Sequence, residues 1–226
     1  MILRWLLLSC ALCLAACDDF SSLTRDDGVL VLQPPAGADP QRVMLILKGR
    51  FEAFRPSSFS SVEARVDDGR MHFLFRHGAP EPPILATLMM QRGVLTATLE
   101  TGELLYNSDD IIDANTVLES GVVYLKLVVT DEAAKRIGDA TARNIGKDIN
   151  VVLDGFNVFR STIREPFSKS FQLSADYPFE EVRVIEALLD HGTLPGPIGF
   201  VSTAGLFDEA KGENQAAEAA RSEEAR

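Results

Sequence analysis

The sequence predicts an α+β fold, and three observations carry that prediction. Apolar and polar residues alternate over strand-length runs, apolar residues recur at helical spacing in other windows, and the two patterns interleave between short turn signals. The length allows a sizeable core. Of 226 residues, 210 follow the apolar leader described below.

The first strand spans Gly28 to Gln33 on Val29-Leu30-Val31-Leu32, and Pro34-Pro35-Ala36-Gly37 turns the chain. Asp39-Pro40 opens a helix between Gln41 and Phe54, with Val43, Leu47 and Phe51, joined by Met44 and Phe54, on one face. Val62, Ala64 and Val66 alternate in a second strand, Asp67-Asp68-Gly69 makes a hairpin turn, and Met71, Phe73 and Phe75 alternate in a third. A helix from about Glu81 to Gln91 stops at Gly93, and the strand Val94 to Leu99 then completes a β-α-β-β-α-β order. That order is the ferredoxin-like arrangement.

A second unit starts near Asp109. Val122 to Val129 is almost continuously apolar and predicts a buried strand. Thr130 caps a helix from Asp131 to Asn144, with Asp131 and Glu132 at its positive end and Ala134, Ile137, Thr141 and Ile145 as the inward stripe. Gly146 ends it. Ile149 to Leu153, the turn Asp154-Gly155 and a return strand through Val158 form a hairpin. Ile163, Phe167, Phe171 and Leu173 fall in further extended segments. A last helix, about Pro178 to His191, buries Val182, Ile185 and Leu189 and ends at Gly192, with Pro195 preventing continuation.

The leader supplies an address. Behind Arg4, an apolar run from Trp5 to Leu14 is too short to span a bilayer, which takes roughly 20 residues, and it ends in Leu14-Ala15-Ala16-Cys17. That ending resembles the lipobox of bacterial lipoproteins, which implies cleavage between Ala16 and Cys17 and acylation of Cys17. Each buried methylene contributes about 0.8 kcal/mol, so two or three chains anchor the protein firmly. Cys10 and Cys13 leave with the leader, and the mature chain then has no partner for a disulfide. Asp18, directly after the cysteine, resembles the enteric signal for retention in the inner membrane. Without Arg4 the chain carries 21 basic against 33 acidic side chains, a formal charge of −12, which excludes nucleic acid as a partner because phosphate binding needs Lys and Arg.

Three stretches carry a family resemblance. Ala140-Thr141-Ala142-Arg143-Asn144-Ile145-Gly146-Lys147, followed by Val151-Val152-Leu153-Asp154-Gly155, is similar to the head subdomain in the first periplasmic domain of SecD, a protein-export membrane protein. Glu186-Ala187-Leu188-Leu189-Asp190-His191-Gly192-Thr193-Leu194-Pro195 is similar to the helix and Gly-x-Leu-Pro segment where SecD returns to its base. Asp110-Ile111-Ile112-Asp113-Ala114 resembles the lead into the head. The resemblance implies a ferredoxin-like base interrupted by an inserted α/β head. On that reading residues 1–16 are signal, 17–27 tether, 28–108 the first part of the base, 109–175 head, 176–206 the return to the base, and 207–226 a disordered tail. The chain departs from the family at Arg160-Ser161-Thr162, where SecD has a Ser-Ala-Pro type turn. After Pro195 no apolar run is long enough to span a membrane, so the proton-driven chemistry of intramembrane ionisable groups is not expected here.

No catalytic constellation emerges. His72, His77 and His191 lack metal-ligand spacing, and Asp109, Asp110 and Asp113 lack the glycine and spaced glutamate of a calcium loop. Asp154 reads as a hairpin-turn residue. Ser57, Ser58, Ser60 and Ser61 sit in no nucleophile elbow, and no phosphate-binding glycine loop is present. The expectation is a non-enzyme without metal or cofactor. Phe156, Phe159, Phe167 and Phe171 cluster in the head; core packing is the plainer reading, and an apolar groove for an extended peptide the sharper one. The expected partners are the membrane, through the lipid on Cys17, and an exported polypeptide or a protein-translocation complex, in the periplasm. A binding module for a small envelope ligand, or for another membrane complex, is the alternative.

Overall fold

The computed structural model describes residues 27–175, 177–204 and 206; the leader, Cys17 and the tail from residue 207 lie outside the described residues. The described residues form three antiparallel sheets and four α-helices. The first sheet holds β1 (Gly28–Gln33), β2 (Ser61–Asp67), β3 (Arg70–Arg76) and β11 (Gly199–Ala204), in the order β11-β1-β3-β2. Helix α1 (Pro40–Ala53) connects β1 to β2. Its first turn is fixed by Asp39, whose carboxylate accepts from Gln41 N at 3.0 Å, and by the preset φ of Pro40. Its buried face sends Phe51 between Phe73 and Phe75 of β3, with ring centroids 5.1 and 5.5 Å apart.

The ferredoxin-like order is present, but a different strand closes it. Val94 to Leu99 does not join the first sheet: β4 (Leu95–Leu99) pairs with β5 (Leu104–Asn107) and β8 (Asp148–Leu153), in a second sheet ordered β5-β4-β8-β9 with β9 (Phe156–Thr162). The sixth element is β11, which lies against β1 with Val29 opposite Ala204, and the second helix is α4 (Phe179–Asp190). Thus α2 (Pro82–Met90), β4 and β5, counted with residues 28–108 in the sequence, align with β8 and β9. Residues 199–204 fall in the expected return to the base, but no strand is predicted there because Phe200, Val201 and Ser202 are exposed and show no alternation; only pairing to β1 makes them a strand.

The third sheet, β10-β7-β6, comprises β6 (Ile111–Glu119), β7 (Val122–Val129) and β10 (Ser170–Ala175). Strand β7 is central in this sheet, but it is buried on one face only, at Leu125, Leu127 and Val129; Val122 and Lys126 on the other face are exposed, so the apolar run does not give burial on both faces. Helix α3 (Asp131–Ala142) is capped by Thr130, whose hydroxyl accepts from Ala133 N at 3.2 Å. Its inward residues are Ala133, Ile137, Ala140 and Thr141; Ile145, expected on that stripe, lies beyond the helix end and is exposed. Asp27, expected in the solvated tether, is buried, with its carboxylate on Arg76 Nη1 and His77 N at 3.0 Å each.

Candidate functional site

Helices α2 and α4 run beside the β8–β9 hairpin, and the three enclose an apolar groove of about 640 Å³. The local sequence explains the apolar walls. In α2, Leu85 and Leu88 point into the core, while Ile84, Thr87 and Gln91 follow helical spacing along the groove. In α4, Val184, Ile185 and Leu188 do the same, with Glu181 as the acidic group in the lining. The hairpin contributes Leu153, Phe156 and Val158, and Phe156 remains 70 % exposed. Strand β9 is the outer strand of its sheet at this point.

The four phenylalanines separate into two groups. Phe156 lines the groove, and buried Phe159 stands edge-on to Tyr177, another lining residue, with centroids 6.2 Å apart. Phe167 stacks on Phe171 at 4.6 Å, and Phe171 meets Tyr106 at 5.4 Å, away from the groove lining. Tyr106 is fully buried, and its hydroxyl has no hydrogen-bond partner among the described residues. Burial raises its pKa well above the ordinary phenol value.

The groove's two helices converge on Arg50, a residue whose importance the sequence reading missed. It is fully buried, and its guanidinium donates to main-chain carbonyls at the ends of both helices: from Nη1 to Leu88 O at 3.1 Å and Gln91 O at 2.7 Å, and from Nη2 to Arg92 O at 2.9 Å, Leu188 O at 3.4 Å and Gly192 O at 2.7 Å. Burial lowers its pKa to about 10, with Asp154 acting in the opposite direction. The signal in the sequence was a cation within an apolar stripe, between Leu47 and Phe54. Asp154, read as a turn residue, has φ of 50° and also reaches across the chain, accepting from Gly93 N at 3.0 Å and Val94 N at 2.9 Å.

The other candidates lie apart. His72 is in β3; His77, at φ 56°, donates its N–H to Asp27; His191 ends α4 against Gly49 of α1, with its pKa lowered by burial and then by Arg50. Asp110 accepts from Asn107 N and pairs with Arg136 at 2.7 Å, while Asp113 accepts from Asn115 Nδ2 at 2.6 Å. Among the described residues no group of His, Cys, Asp and Glu is arranged to hold a metal ion, and no helix is long and apolar enough to cross a membrane.

Comparison with known proteins bears on this geometry. Residues 88–196 match the family model for the SecDF P1 head subdomain. The protein translocase subunit SecD of Dictyoglomus turgidum is 25% identical over 126 residues, which is 55% of this chain and 32% of that protein. The SecD subunit of Aquifex aeolicus is 36% identical over 70 residues, 31% of this chain and 14% of that protein. This chain therefore spans about a third or less of the length of these relatives. Among solved structures, SecDF in a super-membrane-facing form aligns over 81% of this chain and 32% of its own, with a TM-score of 0.62 and 18% identity. A chain from a structure described as a membrane component SecDF that enhances protein export aligns over 77% of this chain and 98% of its own, with a TM-score of 0.57 and 18% identity.

Proposed function

We propose that this chain, which is similar to the SecDF periplasmic structures in fold and matches the head-subdomain model over residues 88–196, is a non-catalytic accessory of protein export that holds extended polypeptide in the α2–α4 groove. The observation that carries the reading is the groove itself. It is apolar, open beside the outer strand β9, and exposes Phe156 where an incoming chain would lie. A bound segment would pair its main chain with β9 and insert alternate apolar side chains between the helices, which gives affinity without sequence readout. The first division of the molecule is then a base of β1–β3, α4 and β11, with the head inserted between β3 and α4.

In the same proposal Cys17 carries lipid after cleavage behind Ala16. Asp18 favours the inner membrane, which sets the groove facing the periplasm beside a translocation complex. The groove's volume also lies in the range of small-molecule sites, roughly 300–1,000 Å³, and this supports an apolar envelope ligand as the second reading. One experiment separates the two. A photo-crosslinker at Phe156, in membranes from cells making the full chain, is expected to capture a defined unfolded precursor polypeptide, with capture lost in Val184→Asp. Cross-links confined to lipid or to neighbouring copies would reject polypeptide binding. A Cys17→Ser chain, expected in the soluble fraction, tests the anchor in the same preparation.

A further inference from the structure

The ends of α2 and α4 present a physical problem that Arg50 solves. Main-chain carbonyls at the C-terminal end of a helix carry the negative end of its dipole, equivalent to about half an elementary charge. Here two such ends converge in the interior, with Leu88, Gln91 and Arg92 on one side and Leu188 and Gly192 on the other. Buried like-signed ends repel unless a cation lies between them. Arg50 is that cation, and among the described residues its hydrogen-bond acceptors are these main-chain carbonyls, with no carboxylate among them.

Its counter-charge acts through a single peptide group. The Arg92 carbonyl accepts from Arg50 Nη2 at 2.9 Å, and the N–H of the same peptide, on Gly93, donates to Asp154 Oδ2 at 3.0 Å. The peptide dipole is thus aligned between cation and anion, and the Val94 N–H adds a second donor to Asp154 at 2.9 Å. Space at this junction is fully used. A Cβ on Gly93 would fall 2.7 Å from Leu188 O and 2.9 Å from Arg50 Nη2. Gln91 and Leu188, whose carbonyls Arg50 holds, also line the groove.

We infer that Arg50 and Asp154, joined through the Arg92–Gly93 peptide, form a clamp that fixes the separation of α2 and α4 and so sets the width of the groove. Arg50 is a positioning residue, since nothing bound in the groove would touch it. The consequence for polypeptide rests on the groove reading above, while the clamp itself is a statement about helix spacing. Arginine suits the task because its planar fork reaches both helix ends at once; a lysine ammonium cannot span the same set.

The test is a distance. In the full chain, with Cys10, Cys13 and Cys17 changed to Ser, spin labels are placed at Thr87 on α2 and Glu181 on α4, and the interspin distribution is read by pulsed electron resonance. Arg50→Met is expected to shift and broaden it to longer separations while far-UV circular dichroism is retained, and Arg50→Lys to do so in part. Asp154→Asn removes the counter-charge and one of the two acceptor oxygens on a half-exposed turn, and is expected to broaden the distribution even if the Arg50 variants do not fold. A folded Arg50→Met, Arg50→Lys or Asp154→Asn chain with the parent distribution overturns the clamp, whatever its loss of stability. A shifted distribution with unchanged precursor capture at Phe156 keeps the clamp and rejects the groove's role in binding.

Discussion

Tyr106 holds a phenol in a space made for hydrocarbon. Its ring packs on Phe171, but its hydroxyl is buried without a partner among the described residues. An unsatisfied buried hydroxyl costs about 1–3 kcal/mol, so Tyr106→Phe is expected to stabilise the protein by about 1 kcal/mol in urea unfolding, with no change in the m-value. Sequence alone could not find this, because an aromatic residue after a leucine pair reads the same with or without a hydroxyl partner. The same limit applies to the four phenylalanines. Their chemistry marked them as apolar, but only the fold sends Phe156 to the groove and Phe167 and Phe171 to the core beside Tyr106. Arg50 was legible as an anomaly in an apolar stripe, while its five carbonyl partners come from segments about 40 and 140 residues away.

Among the elements, α4 does two jobs on two faces. One face walls the groove, and another secures β6, the outer strand of the third sheet. Asp190 accepts from Ala114 N at 2.7 Å and Glu186 from Thr116 N at 2.8 Å. The match is geometric: four residues of helix advance about 6 Å and two of strand about 6.6 Å, so carboxylates at i and i+4 meet alternate amides along the strand edge. Burial first, and then Asp113 and Glu186, raise the Asp190 pKa from 3.8 to about 6, against the opposing hydrogen bond from Ala114. A folded pKa above the unfolded one means that the folded state binds the proton more tightly. Stability from this group is therefore fully present below about pH 4 and lost as pH rises through 6. Since the residue retains substantial solvent contact, screening limits the effect to about 1 kcal/mol. Asp190→Asn keeps an acceptor for Ala114 N and is expected to stabilise the protein by up to about that amount at pH 7, flattening the profile between pH 4 and 6 in thermal unfolding. Elements with clean periodicity, such as α1, β3 and α3, were legible within a residue or two at their starts. Strands β6 and β11 were not, because their polar or exposed residues show no alternation and they depend on partners distant in sequence.

Over the whole molecule, the nested order of the sheets decides which parts depend on which. The first sheet is completed by β11, which follows every strand of the other two sheets in sequence. Deleting residues 199–226 removes the partner of β1 along one edge and is expected to raise amide hydrogen-exchange rates in β1 about tenfold or more, while β7 and β8, in other sheets, keep their protection. Equal loss of protection in all three sheets would show a single cooperative unit instead. The α+β class and the idea of an interrupted ferredoxin-like unit were legible from element order and from the SecD-like stretches. The identity of the closing strand was not, since Val94 to Leu99 and Gly199 to Ala204 both satisfy the count and only long-range pairing chooses between them.

That pairing of Val29 with Ala204 also bears on how the chain reaches its folded form. A polypeptide that emerges amino end first can join β1 to β3 early, but the other edge of β1 stays bare until nearly the last described residues arrive. Closing so long a loop is slow, and an unpaired edge meanwhile invites the wrong neighbour. A protein proposed to look after unfinished chains is, for most of its own delivery, one of them.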